Sequence, residues 1–175
     1  MLYFLQFSLT KKSFCAIIYE VVILENKFMR IAIEEARKAI DEGEMPVGAV
    51  VVKNGEVISK GHNVRNIKHD PTLHAEIVAI REACEILGDW RLTDCDLYVT
   101  LEPCVMCSGA IINARMQSVY FGAYDVEYGA AGGRIDLFSK SYFGSTTKVF
   151  GGIMEEECTS MLKCFFASLR EGKKN

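Results

Sequence analysis

The chain has 175 residues, half of them apolar and a quarter charged, with a formal net charge of −3 and a pI of about 5.7. That suffices for one domain with one sizeable core and is short for two. The acidic balance excludes binding of long duplexes by bulk charge, so a nucleic-acid partner would need a local basic patch and a specific pocket.

Residues 2–9 and 14–24 are apolar apart from Glu20, with Lys11 and Lys12 between them. A secretory leader has its charges first, an unbroken apolar core and a small-residue cleavage site, and this stretch lacks that order. No apolar run reaches the roughly 18 residues of a membrane-spanning helix. Residues 1–24 are expected to lie outside the domain, disordered or the product of an upstream start, with the domain at 25–172 and a basic tail at 173–175. Of seven cysteines only Cys104 and Cys107 have a motif spacing. An odd count without a framework points to reduced thiols in a cytoplasmic protein.

Residues 26–42 read as an amphipathic helix, with Phe28, Ile31, Ala32, Ala39 and Ile40 on one stripe and Gly43 as its stop. Residues 47–52 and 56–61 are two strands joined at Asn54-Gly55, a strong signal for a two-residue hairpin turn. A polar loop at 63–71 leads to a helix at 72–87, with Ile77, Ile80, Cys84 and Leu87 as its buried stripe. Residues 96–101 alternate as a strand. Pro103 suits the first turn of a helix at 104–114. A strand at 118–122, a glycine-rich loop at 123–133 and a short helix at 134–138 follow. The chain closes with a strand at 148–150 and a helix at 155–170 whose apolar stripe is Cys158, Met161, Leu162, Phe165, Phe166 and Leu169.

After the hairpin, strands and helices alternate, which favours right-handed parallel crossovers. The expected fold is α/β, a three-layer α-β-α sandwich around a five-stranded mixed sheet. Successive crossovers place the helices at 72–87 and 104–114 on one face, with their N-termini side by side. His74 would then meet Cys104 and Cys107, roughly 30 residues further on.

Cysteines three apart share a helix face, and the positive helix end favours their thiolates. Two thiolates and one imidazole suit zinc, and three protein ligands leave a fourth position for water, as in catalytic sites. Glu76 is not a ligand here. Two residues past His74, it can exchange a proton with that water, whose pKa zinc lowers toward neutrality. Taken singly, C-x-x-C also fits a structural zinc ribbon or a redox pair. A ribbon needs a fourth ligand, for which His62, His69 or Cys95 are the candidates. A redox pair leaves His74 and Glu76 without a role.

His74-Ala75-Glu76 followed by Pro103-Cys104-Val105-Met106-Cys107 resembles the signature of the zinc-dependent nucleoside and nucleobase deaminases. Met45-Pro46-Val47-Gly48-Ala49-Val50, Asp70-Pro71-Thr72-Leu73, Leu97 through Glu102, Phe121-Gly122-Ala123, the loop from Gly129 to Gly133, Cys158 and Phe165-Phe166 narrow the resemblance to the bacterial tRNA-specific adenosine deaminases. It covers residues 26–170. The resemblance implies a cytidine-deaminase-like sheet, a homodimer, one zinc ion per subunit, and a hydrolase that converts adenosine to inosine at the wobble position of a tRNA anticodon loop. On this chain it implies His74, Cys104 and Cys107 as zinc ligands and Glu76 as the proton shuttle while hydroxide adds at C6 and ammonia leaves. It further implies substrate contacts at Asn63, Ala75, Val47, Asp125, Phe165 and Phe166.

A base inside a duplex cannot reach a buried metal, so the substrate would be a splayed loop nucleotide. Candidate phosphate contacts are Arg65, Lys68, Arg134, Lys148, Arg170, Lys173 and Lys174. Val64 and Tyr124 stand where the family often carries basic residues, which weakens phosphate holding by charge; Tyr124 offers stacking instead. The alternatives are a guanine or other nucleobase deaminase with the same zinc chemistry, and a non-catalytic zinc-stabilised interaction module.

Overall fold

The computed structural model describes residues 14–139 and 146–172. Residues 1–13 and the basic tail at 173–175 lie outside the described residues. Helix α1, Phe14–Asp41, leads into a hairpin of β1, Gly48–Lys53, and β2, Glu56–His62. Asn54 and Gly55 both have positive φ, at 53° and 78°, which makes the connection the turn whose twist matches paired strands. A short helix α2, Arg65–Lys68, precedes α3, Ala75–Leu87. The remaining order is β3, Cys95–Leu101; α4, Val105–Asn113; β4, Ser118–Ala123; β5, Lys148–Phe150; and α5, Glu155–Gly172.

The sheet order is β2-β1-β3-β4-β5. β1 pairs antiparallel with β2 and β3, while β3-β4 and β4-β5 are parallel. The alternation of each strand divides the interior in two. Ala49, Val51, Leu97, Val99, Val119 and Phe121 pack under α3 and α4. Val50, Val52 and Tyr98 pack under α1 with Cys158 of α5. The expected three-layer sandwich with a five-stranded mixed sheet is the observed architecture.

Several local expectations are corrected. α1 begins at Phe14, twelve residues before the expected start. No glycine or proline interrupts 14–26, and extending a helix costs far less than nucleating one. The polar loop at 63–71 contains α2. Residues 134–138 form no helix; Ala131 and Asp136 instead make an isolated β-bridge. Pro103 lies before the N-cap residue Cys104, outside the helix.

The helix stripes are also rotated from the expected ones. α1 buries Met29, Ile33 and Ala36 beside Phe28, Ala32 and Ala39, and leaves Ile40 exposed. α3 buries Ala75, Ala79, Ile80 and Ala83, whereas Ile77, Cys84 and Leu87 are only half-buried. Close approach explains both shifts. A Cβ at Gly48 would strike the α1 backbone at Ala32 and Ala36. One at Gly61 would fall 2.6 Å from the Ala75 carbonyl oxygen and 2.7 Å from the Ala79 nitrogen of α3. Each helix therefore docks through alanines over a strand glycine, and size outweighs hydrophobicity in choosing the buried face. Of the stripe on α5 only Cys158 is fully buried; Phe166 and Leu169 are exposed.

Candidate active site

Two helix N-termini meet beyond the carboxyl ends of β3 and β4. His74 is the N-cap residue of α3 and Cys104 that of α4, both with extended backbone and neither with a side-chain capping bond. N-cap side chains normally satisfy the free N–H groups of the first turn. Here they are free to bind a metal instead. An Asp70 turn precedes His74: Asp70 Oδ1 accepts from the Thr72 backbone at 2.8 Å and from its hydroxyl at 2.6 Å. These bonds hold the Asp70 carboxyl below its usual range.

The His74 Nδ1 lies 3.7 Å from Cys104 Sγ and 3.6 Å from Cys107 Sγ, and the three donor atoms are all within 4.8 Å of one another. Tetrahedral zinc, with Zn–S of about 2.3 Å and Zn–N of about 2.0–2.1 Å, sets sulfur and nitrogen about 3.6 Å apart. The donor set and its spacing fit one zinc ion. The Cys104 thiol is held down to about 4, first by its hydrogen bond with Cys107 and then by His74. Its partner Cys107 is pushed up by that same bond and by burial. The bond to Cys104 raises His74. The cluster therefore already favours a thiolate, the form that ligates.

Glu76, the second residue of α3, is 4% exposed. Burial pushes its carboxyl up to about 7, and the negative charge of Cys104 adds to the rise. It shares a hydrogen bond with Cys107, so the acid stands against the metal cluster and titrates near neutrality. That is the property a proton shuttle needs.

Two more buried acids frame this centre. Glu102, 2% exposed, follows the end of β3 just before Pro103 and Cys104. Its carboxylate accepts from the backbone N–H groups of Asp125 at 2.9 Å, Ala131 at 2.9 Å and Gly133 at 2.7 Å. Gly129 and Gly133 touch that carboxylate, and a Cβ at either would overlap it. Cys104 itself pairs with Gly129 in a β-bridge, and the Ala130 N–H donates to Pro103 O at 2.8 Å. On the other side, Glu44 is fully buried and accepts from Asn63 and from the start of α2.

Residues 23–123 match the family described as the cytidine and deoxycytidylate deaminase zinc-binding region. The chain belongs to this zinc-dependent deaminase family. The tRNA-specific adenosine deaminase of Bacillus subtilis (strain 168) is 47% identical over 147 residues, which is 84% of this chain and 91% of that protein. A solved structure from work on A-to-I editing by tRNA:A34 deaminases at the wobble position matches with a TM-score of 0.75 at 44% identity. It covers 78% of this chain and 99% of that one. A guanine deaminase from Nitrosomonas europaea, at 24% identity, shares the fold with a TM-score of 0.72 over 81% of this chain and 84% of that one.

In this deaminase, His74, Cys104, Cys107 and Glu76 come together as one cluster. Ala75, buried at the first position of α3, has a backbone N–H in the turn where helices leave N–H groups without internal partners. Asn63 and Val47 are both buried and linked, the Asn63 N–H donating to Val47 O at 3.0 Å. Asp125 turns its carboxylate inward on its own loop, accepting from the Glu127 and Tyr128 N–H groups at 2.9 and 3.0 Å. Phe165 and Phe166 belong to α5 and are not members of the His74, Cys104 and Cys107 cluster. Their rings meet edge to face at 5.6 Å, and Phe166 lines a cavity of about 270 Å³ with Tyr124, Lys163 and Arg170. Glu44 and Glu102 have no counterpart among the residues expected from sequence. For Glu102 the pair of glycines at 129 and 133 was the available signal.

Proposed function

We propose that this chain is a zinc-dependent hydrolase that deaminates adenosine to inosine at the wobble position of a tRNA anticodon loop. The carrying observation is the cluster of His74, Cys104 and Cys107 with buried Glu76 against it, in a chain 47% identical to a tRNA-specific adenosine deaminase.

Bound by His74, Cys104 and Cys107, zinc supplies Lewis acidity and lowers the pKa of a water toward neutrality. The net reaction adds the oxygen of one water at C6, breaks the C6–N6 bond and releases ammonia. Glu76 takes a proton from the water, returns it to the purine ring, and then carries the second proton to the departing amine. A carboxyl poised at about 7 exchanges protons in both directions near neutral pH. Asn63 and the Ala75 backbone orient the base, and Val47 packs beside it. Asp125 shapes the rim loop, and Phe165 and Phe166 serve neighbouring nucleotides. The base must be splayed from its stack to enter, which an anticodon loop permits.

The reading also places the protein in the cytoplasm as a homodimer. Val105, Val126 and Tyr128, exposed around the Cys104–Gly129 bridge, are the apolar surface a second copy would cover. Light scattering should then give twice the chain mass.

The decisive assay offers zinc-loaded protein an anticodon stem-loop with adenosine at the wobble position, with free guanine and cytidine in parallel. Inosine is expected from the stem-loop, and Glu76→Ala should retain zinc and lose turnover. Consumption of guanine alone would refute the RNA substrate. A Glu76→Ala protein with unchanged turnover would refute the mechanism.

A further inference from the structure

A cavity of about 1030 Å³ lies at the far end of α4 from Cys104, lined by Trp90, Ile112, Asn113, Arg115, Gln117 and Lys148. α4 has nine residues, so about 13 Å of helix separates this cavity from the cluster of His74, Cys104 and Cys107. Lys148 pairs with Ser118 where the parallel strands β5 and β4 begin, at the opposite end of the sheet from that cluster.

Arg115 breaks a local rule there. Its N–H donates to Ile112 O at 3.0 Å, and the Met116 N–H donates to Ile111 O at 3.3 Å, which closes α4 with a paired cap. The residue just past such a cap is usually glycine, because its backbone is left-handed. Arg115 holds φ of 57° in that place. A side chain in this region costs backbone strain, and such breaks concentrate where function demands them.

Trp90 faces Arg115 across the cavity wall and is 51% exposed. The guanidinium carbons of Arg91 and Arg115 lie 5.1 and 5.5 Å from its ring centroid. Cation–π attraction makes the indole and the two planar cations one platform. The Arg91 charge is already met, since Nε and Nη2 donate to Asp89 Oδ2 at 3.2 and 3.1 Å. Arg115 and Lys148 have no carboxylate at ion-pair distance among the described residues, and no acid is among the described residues that line the cavity. In a chain of net charge −3 this is a local basic patch with a pocket. Bases stack on aromatic rings and on guanidinium planes, and Arg and Lys take phosphate.

We propose that this cavity binds a nucleotide, with its base on the Trp90–arginine platform and its phosphate on Arg115 and Lys148. The source is a free nucleotide or an unpaired nucleotide of a bound RNA, and both offer the same base and phosphate.

Trp90 is the chain's single tryptophan, so its emission reads this cavity. In zinc-loaded protein, AMP should change that emission saturably. Orthophosphate and adenosine should each bind about 10- to 100-fold more weakly than AMP, because each leaves half of the site unused. Adenosine is also the control for occupancy of the zinc site. Arg115→Gln and Lys148→Gln should each weaken AMP binding about 10- to 100-fold, the usual effect of losing one charge-assisted bond, with zinc content and Tm retained. Wild-type AMP affinity in both variants, orthophosphate binding as tightly as AMP, or no saturable response to AMP would overturn the proposal. Competition names the source. Displacement of AMP by the wobble-adenosine stem-loop assigns the site to an RNA nucleotide, and AMP binding that the stem-loop leaves intact assigns it to a free nucleotide. Protein that forms no inosine yet binds AMP at Trp90 would keep this site and lose the deaminase reading.

Discussion

Glu102→Gln tests whether one side chain holds the rim of the active site against its floor. The substitution keeps size and shape and removes the charge. The carboxylate accepts three backbone N–H groups, from Asp125, Ala131 and Gly133. All three are fixed donors that cannot turn round. The substituted amide can serve Ala131 and Gly133 with its oxygen, but its NH2 then faces the Asp125 N–H, donor against donor. One charge-assisted bond is lost, two become neutral, and a part-buried N–H is stranded. At about 1.5–3 kcal/mol for a bond to a charged group, the total loss is about 2–4 kcal/mol. For a domain of this size that lowers Tm by roughly 5–15 °C. The lost anchor is the one that sets the chain entering Asp125, while Cys104 keeps its bridge to Gly129. Zinc content should therefore remain near one per chain while KM for the stem-loop rises. Calorimetry on the zinc-loaded protein, with metal analysis and the inosine assay on the same samples, reads all three. A Tm within about 1 °C of wild type, or loss of zinc with unchanged KM in the remaining holoprotein, would refute the reasoning.

Gly61→Ala should loosen the metal rather than the rim. Its Cβ would lie 2.6 Å from Ala75 O, so the first turn of α3, which carries His74 and Glu76, must move; overpacking of this kind costs about 1–3 kcal/mol. Faster zinc release to a chromogenic chelator is expected, and wild-type release would contradict the close-packing argument. Thiol reactivity should follow burial. Exposed Cys164 alkylates first. Cys158, whose thiol burial pushes up to about 12, stays neutral and inert through pH 9, and Cys104 and Cys107 label only after chelation. Mass mapping of iodoacetamide adducts checks this, and early labelling of Cys158 would show that α5 does not stay seated on Gly122.

The cluster of His74, Cys104 and Cys107 was legible because its geometry is carried by short-range spacing and by the handedness of crossovers. Cys104 and Cys107 share a helix turn wherever that helix sits, and two like-handed crossovers bring His74 to them. The strands and hairpin were legible for the same reason: alternation and Asn54-Gly55 act locally. The helix faces were not. Counting large apolar residues favoured Ile77 and Leu87 on α3, but the approach of that helix to β2 is set by Gly61, which brings the backbone at Ala75 and Ala79 against the strand. Glu44 and Glu102 escaped for a different reason. In a linear sequence an acid reads as surface, and the N–H groups that bury Glu102 come from residues more than twenty positions away. The short helix expected at 134–138 failed because Glu102 and Gly129 draw that segment into bridges and turns.

The same nonlocal logic explains why two of the three donors that could hold zinc, His74 and Cys104, occupy helix caps. A Ser, Thr, Asp or Asn at 74 or 104 would close each helix with its own side chain. His74 and Cys104 make no such bond, so both first turns keep N–H groups facing the cluster and supply positive potential where thiolate forms. The helices forgo capping energy, and metal binding is what completes their ends. Zinc affinity in such a site is partly folding free energy of α3 and α4. Glu44 and Glu102 do for the flanking segments what the metal does for the helices. Each carboxylate gathers backbone N–H groups that no side chain in their own segment satisfies. The centre is thus ringed by negative groups that organise peptide dipoles, and Glu76 alone is placed where burial leaves its proton free to move.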